Sequence, residues 1–515
     1  VRQHADKAAA PGTTSRAVVL FFKKSRSSSP MLFNTPLFLF AFLPLTRLGF
    51  GAANQLGMGA AWLVAASLVF YAAWNPLFLL LLLPSIGLNF AAGLAIERTR
   101  RGVWLGAAVA ANLAVLGWFK YAHFFAGALG GVTAVRFDVG ASVLPLGISF
   151  FTFEQIGYLV DVRRGAAAER DLVRYALFVA FFPRLVAGPI LRFSELMPQV
   201  PAGGRMRATQ MDLAVGMSMF AMGLAKKSLL ADGIAPYASA VFGAADHGAV
   251  LGATAAWGGA LAYTLQLYFD FSGYSDMAIG AARLFGLRFP ANFNSPYKST
   301  NIVEFWRRWH MTLSRFLRDY LYIALGGNRH GQARRYANLL ATMVLGGLWH
   351  GANWTFVAWG ALHGGYLIAN HAWHALERRS ARLTQAAGTV GGRLGAWALT
   401  MLAVMVGWVF FRAHDFASAW RMLGAMSGVE AGGVRPVSDA GDMWAWAACL
   451  SAIALLAPNS QQILSAWAPV LEQVPPPAGW LQWRPTLGWG VATACVALAG
   501  FLSISQGGEF LYWKF

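Results

Sequence analysis

The chain has 515 residues, 57% of them hydrophobic and only 12% charged, where a soluble domain carries roughly 25% charged residues. Its Lys and Arg outnumber its Asp and Glu by 41 to 22, a net charge of +19, but they fall in short loops between apolar runs. This excludes an ordinary soluble globular protein and argues against a nucleic-acid groove.

Residues 1–30 are polar and basic, and their one apolar run, 17–22, is shorter than a signal-peptide core. We expect a disordered leader or a start placed too early, with a single membrane domain over 31–515. A bilayer span needs roughly 20 mostly apolar residues. Candidate spans follow at about 33–50, 58–74, 75–96, 102–119, 143–161, 173–192, 211–230, 249–271, 273–287, 335–350, 352–376, 394–412, 442–457 and 486–505. Some are too short or too polar to cross alone. The expectation is an all-α polytopic membrane protein with about eleven spans plus re-entrant and interfacial helices. Period-two alternation is missing, which argues against a β-barrel.

Lys and Arg in short loops stay cytoplasmic. By that rule Arg98, Arg100 and Arg101, Arg163 and Arg164, Lys226 and Lys227, and Arg378 and Arg379 mark cytoplasmic connections. The segment 413–441, with Asp415, Glu430 and Asp439, is expected outside. Pro475, Pro476 and Pro477 stop any helix in the last polar connection. Cys449 and Cys495 lie in apolar stretches and form neither a disulfide framework nor a metal spacing.

From Asn301 to Leu325 the pattern changes. Ile302, Trp306, Trp309, Leu313, Phe316 and Tyr320 recur at spacings of four and three, while Glu304, Arg307, Arg308, Arg315 and Arg318 lie opposite. This predicts one amphipathic helix along the cytoplasmic interface, with His310 at the edge of its apolar stripe.

Ionisable groups inside membrane segments are costly and mark candidate sites. One cluster is GGLWHGANWTFVAWG, 346–360, where Trp349, Asn353 and Trp354 surround His350 among glycines. A second is YFDFSGYSDMA, 268–278, with Asp270 and Asp276. The third is the helix with His310, whose Arg307 and Arg308 either face lipid headgroups or bind phosphates of a cytosolic donor. From the residues alone, His350 is either reactive or a hydrogen-bonded structural histidine. Asp270 and Asp276 either serve a site or pair with arginines such as Arg283 or Arg288. His371, His374 and Glu377 have helical spacing that a solvated helix end explains as well as a metal does, and no metal site is expected. His363 is open to either reading. A transporter or channel with a buried His/Asp proton or ion path is the rival function.

The chain has no GxxxxGK[ST] phosphate loop and no GxSxG nucleophile elbow. Five runs, however, resemble the membrane-bound O-acyltransferase family in order. They are LPLGISFFTFEQIGYLVDVRRG (144–165), FFPRLVAGPILRF (181–193), YTLQLYFDFSGYSDMAIG (263–280), NFNSPYKSTNIVEFWRRWHMTLSRFLRDYLYIALGGNR (292–329) and GGLWHGANWTFVAWGALHG (346–364). The resemblance extends over essentially 31–515 and is strongest to the bacterial branch that acts on exported polysaccharides such as alginate. Arg184 departs from the family pattern.

The resemblance implies a many-helix bundle around a central cavity or tunnel, in a bacterial inner membrane. It implies His350, of the WHG motif, as the central catalytic residue and His310, of the RRWH motif, as its partner. It further implies an acyl thioester donor such as acetyl-coenzyme A, with no bound cofactor. The acceptor would be an exported polysaccharide, reached through an extracytoplasmic SGNH-type acetyltransferase. A thioester is already activated, in keeping with the missing phosphate loop.

Overall fold

In the computed structural model, the described residues are 31–133, 143–203, 205–428, 433, 436–437, 439–477, 481–504 and 511. Residues 1–30, Glu430, 505–510 and 512–515 lie outside them. Helices dominate, and no β-strand occurs among the described residues. Four helical runs are long and apolar enough to cross a membrane: Pro76–Thr99, Gly102–Gly130, Gln210–Asp246 and Val390–Arg412. Gly59–Ala72, Ala440–Leu456 and Leu487–Leu502 are shorter apolar helices. Leu88, Leu399 and Leu487 are 71%, 69% and 86% exposed, so the outer surface of the bundle is apolar and suits lipid.

At the centre, Ala253–Arg283 is one helix of 31 residues, buried over nearly its whole length. The sequence reading divides it at Gly273; the structure does not. Gly273 is there for contact, because this helix crosses Gln210–Asp246 backbone to backbone. A Cβ on Gly273 would lie 2.8 Å from the carbonyl oxygen of Gly223, and one on Gly280 would lie 2.6 Å from that of Gly216. Such pairs of small residues bring membrane helices together where hydrophobic segregation from lipid supplies no force.

The same crossing corrects the placement of Lys226 and Lys227. They do not mark a cytoplasmic loop. They begin a π-turn, Lys226–Ala231, inside the long helix. Lys226 Nζ lies 2.6 Å from Asp276 Oδ2, and Lys227 Nζ lies 2.7 Å from Asp270 Oδ1 and 2.6 Å from Asp232 Oδ1. Asp276 also accepts from Ser460 and Gln461, and Asp270 from the Leu511 amide. Asp270 and Asp276 therefore pair with lysines. Arg283 is taken by Asp212 at 2.9 Å. Adjacent lysines between apolar runs read as a loop because sequence does not show which buried carboxylates answer them.

Residues 173–192 enter the body as the helix Leu172–Ala180, continue as the short turn Phe182–Leu185 and then run on without regular structure to 192. Non-helical backbone at membrane depth survives only inside protein. Here it surrounds a buried ion pair, Arg184 with Glu154, and Glu154 also accepts from the Leu191 amide at 3.1 Å. The family departure at Arg184 thus has a structural partner.

The interfacial helix predicted for 301–325 is broken. Ile302–Arg308 and Met311–Phe316 are separate helices, followed by the π-turn Leu317–Tyr322. Phe305, Trp309 and Leu313 are 0%, 3% and 1% exposed, so this apolar face packs on protein and not on lipid. Of the arginines expected in solvent, Arg308 pairs with Glu304 at 2.7 Å and Arg315 with Glu195 and Glu472 at 3.3 and 3.2 Å.

Two stability predictions follow from this packing. Gly280→Val forces the crossing apart and is expected to cost about 3 kcal/mol; thermal melting of the detergent-purified protein measures it. Arg184→Met strands Glu154 and is expected to cost about 3–5 kcal/mol, much of it recovered by adding Glu154→Gln. If the double variant melts no higher than the single, the ion pair is not what holds this segment.

Candidate active site

His350 is the last residue of the helix Gly331–His350, and Trp354–Glu377 returns beside it. The two helices meet backbone to backbone at Gly347 and Gly360, where added Cβ atoms would collide with the carbonyl oxygens of Phe356 and Met343. At the corner Gly351 is extended, at φ −167° and ψ 154°. Asn353 caps the second helix by accepting from the Thr355 amide at 3.1 Å, and its amide donates to the His414 carbonyl at 2.8 Å. The Asn353 side chain is thereby committed to shaping the corner.

The His350 ring is 6% exposed and walled by aromatics. Trp349, Trp359 and Phe411 lie at centroid distances of 5.0, 5.2 and 5.1 Å. Trp349 is stacked on Phe153 at 5.4 Å and stands 6.3 Å from His310, so one indole touches both candidate histidines. The structure brings His350, Trp349 and His310 together. Trp354 is 53% exposed and packs on Phe124, away from them.

His310 occupies the break between its two helices at φ 40° and ψ 53°. This left-handed conformation costs a non-glycine residue about 1 kcal/mol or more and is held by the surroundings. The backbone is stitched to the preceding segment: the Asn294 amide donates to the Arg308 carbonyl and the Met311 amide to the Asn292 carbonyl, both at 2.9 Å. The side chains complete the arrangement. The Ile190 amide donates to Thr312 Oγ1 at 3.0 Å, so the Thr312 hydroxyl proton goes to Asn292 Oδ1, 2.9 Å away. Asn292 Nδ2 donates to Ser275 at 3.0 Å. With its oxygen thus identified, Asn292 Oδ1 also accepts from His310 Nδ1 at 3.1 Å. A neutral imidazole that donates from Nδ1 keeps its lone pair on Nε2. His310 is therefore set as a proton acceptor at Nε2.

At the far end of the histidine hairpin is a cavity of about 670 Å³ lined by Arg307, Arg335, Arg378, His371, His374 and Glu304, among others. Here the sequence-predicted Arg307 finds its place, whereas Arg308 is occupied by Glu304. His374 is hydrogen-bonded to Glu377 at 2.8 Å. Between this cavity and His350 stand Trp306, His363 and Trp359. Trp306 lies 5.3 Å from His363, His363 4.9 Å from Trp359, and Trp359 5.2 Å from His350. The indole nitrogens of Trp306 and Trp359 and both ring nitrogens of His363 make no hydrogen bond among the described residues.

Asp270 and Asp276 are not part of this constellation. Each is paired with a lysine in the helix crossing. Sequence reasoning missed Asn292, although it lies at the head of a motif already singled out. It also missed Lys120, the one charged residue in the run 102–119 and its continuation to Tyr121, whose signal was its isolation.

The chain also resembles known proteins. The sequence model of MBOAT, the membrane-bound O-acyltransferase family, matches residues 142–407. Against the probable alginate O-acetylase AlgI of Azotobacter vinelandii, identity is 47% over 409 residues, covering 77% of this chain and 78% of that one. Against the peptidoglycan O-acetyltransferase of Helicobacter pylori it is 42% over 435 residues, covering 78% and 80%. A teichoic acid D-alanyltransferase of Streptococcus thermophilus is 32% identical over 247 residues, 44% of this chain and 57% of that one. With a family match across half its length and relatives aligned over more than three quarters of both chains, the helical, multi-pass chain whose His310 and His350 sit in the matched region belongs to the membrane-bound O-acyltransferase family and is an O-acyltransferase.

Proposed function

We propose that this enzyme, in the bacterial cytoplasmic membrane, moves an acetyl group from cytosolic acetyl-coenzyme A to an exported polysaccharide. His350 is the catalytic base and His310 its partner. The observation that carries this reading is the pair of buried imidazoles joined through Trp349, one of them fixed as a proton acceptor. The acceptors named for the relatives, alginate and peptidoglycan, are both glycans and support a sugar hydroxyl as the final acceptor. An extracytoplasmic SGNH-type partner would carry the acetyl group on to the glycan.

In this scheme His350 takes the proton of the attacking hydroxyl, and the oxygen forms a bond to the thioester carbonyl carbon. The C–S bond then breaks, and the imidazolium returns its proton to the departing thiolate. His310, oriented by Asn292 and joined to His350 through Trp349, is the partner that shapes the other side of this pocket. Water is largely excluded by the aromatic walls, which strengthens each of these interactions.

The two ends of the hairpin support the direction of transfer. The basic cavity lies at the end rich in arginine, which stays cytoplasmic. Its Arg307, Arg335 and Arg378 suit the phosphates of a nucleotide thioester. His350 lies at the other end, roughly 28 Å along a 20-residue helix, where Asn353 meets the His414 segment expected outside. Trp306, His363 and Trp359 lie between and offer polar atoms to the amide-bearing arm of such a donor.

Three measurements test this reading. His350→Ala is expected to lower acetyl transfer by ~10²–10⁴-fold with the protein still folded; mass analysis of the exported polysaccharide reads it, and unchanged acetylation would overturn the assignment. Asn292→Leu releases the His310 tautomer, with an expected loss in kcat of about 10²-fold or more. Arg307→Gln combined with Arg335→Gln is expected to raise KM for acetyl-coenzyme A about tenfold while kcat stays near wild type. A lowered kcat at unchanged KM would remove the donor role of that cavity.

A further inference from the structure

The helix that ends at His350 has an accounting problem. The last four carbonyls of any α-helix have no partner inside it. Most helices answer this with a left-handed residue or a turn of 3₁₀ bonds. Here Gly351 is extended, and no such cap closes the helix.

The carbonyls are answered from another helix. Tyr121 Oη donates to the Leu348 carbonyl at 2.9 Å. Lys120 Nζ donates to the Trp349 carbonyl and lies 3.3 Å from the His350 carbonyl oxygen. The ammonium also stands 5.7 Å from the centroid of the Trp349 ring. Both donors come from a π-turn, Gly117–Tyr121, set within the run Gly102–Gly130. A π-turn inserts an extra residue and turns the side chains that follow it, and such turns gather at functional sites.

Three lysines within helical runs can be compared: Lys227 is buried, and Lys120 and Lys226 are part-buried. Lys226 and Lys227 are each matched by aspartates, whereas Lys120 has no carboxylate partner among the described residues. Its counter-charge is the negative end of the His350 helix. An ammonium in a lipid-spanning segment is expensive.

We propose that Lys120 is a positioning residue for acyl transfer: with Tyr121 it clamps the last turn of the His350 helix and fixes the direction of that imidazole. The proposal rests on His350 being the catalytic base. A clamp on backbone carbonyls sets where the ring stands without touching either substrate. Removing it should lower turnover and leave donor binding alone.

The test uses the full-length enzyme in membranes of its host, with radiolabelled acetyl-coenzyme A as probe. Lys120→Met is expected to lower kcat about 100-fold with KM for acetyl-coenzyme A within about twofold of wild type. Lys120→Arg, which keeps the charge and the donors, is expected to recover kcat to within about tenfold of wild type. Tyr121→Phe, which loses one hydrogen bond, is expected to lower kcat about fivefold. Turnover by Lys120→Met within about threefold of wild type, or no recovery with Arg, overturns the proposal. If the Met variant does not accumulate, Tyr121→Phe decides: a lower kcat at unchanged KM supports the clamp, and unchanged kcat overturns it. Full activity of His350→Ala would instead overturn the assignment of the base, so the two failures are distinguishable.

Discussion

Backbone polar groups inside a lipid-spanning body must find partners within the protein, because no bulk water is at hand to supply them. Both candidate histidines sit where a helix stops, which is where that demand is hardest to meet. At His310 the chain turns through a left-handed residue, and the segment around Asn292 and Asn294 takes up the freed groups. At His350 the helix ends without a cap of its own, and Lys120 and Tyr121 supply the donors. The candidate histidines and the repairs to the backbone are therefore the same pieces of structure. A helix end gives an imidazole a place that a continuous helix face does not, and the stitching gives it one orientation.

The charges deeper in the bundle serve a different purpose. Lys226, Lys227, Asp270, Asp276 and Asp232 meet where two helices cross at glycines. Breaking a buried pair costs more than the pair itself contributes, so such networks specify which helix meets which. The same holds for Arg184 and Glu154, which keep an irregular segment inside the protein. Burial and charge alone do not separate a site from a scaffold; partners do. The aspartates are closed by lysines, while the histidines are ringed by aromatics.

The hairpin Gly331–His350 and Trp354–Glu377 joins two chemically opposite ends. One is basic and cavity-forming, lined by Arg307, Arg335 and Arg378. The other is aromatic and nearly dry, suited to proton transfer. Holding them on one rigid pair of helices, packed through Gly347 and Gly360, keeps their separation constant. In the function proposed above, an acyl group bound at the first by its carrier is presented at the second.

Much of this was legible in the residues. Long apolar runs with few charges determine a helical membrane body, because no other open structure satisfies its backbone in lipid. His350 stood out because a titratable ring in an apolar, glycine-rich run is costly, though a hydrogen-bonded structural role fitted it as well, and five long runs in order resembled the family. Spacing failed where helices break. The 301–325 stripe fits one helix, and nothing local announces that Trp309 and His310 leave it. The pairing of Asp270 and Asp276 with lysines, the tautomer set on His310 through Asn292, and the clamp from Lys120 all join residues far apart in the chain. Sequence determined which groups are costly to bury; only the tertiary structure decided which partners meet that cost, because the bonds that do so are made between helices and not along them.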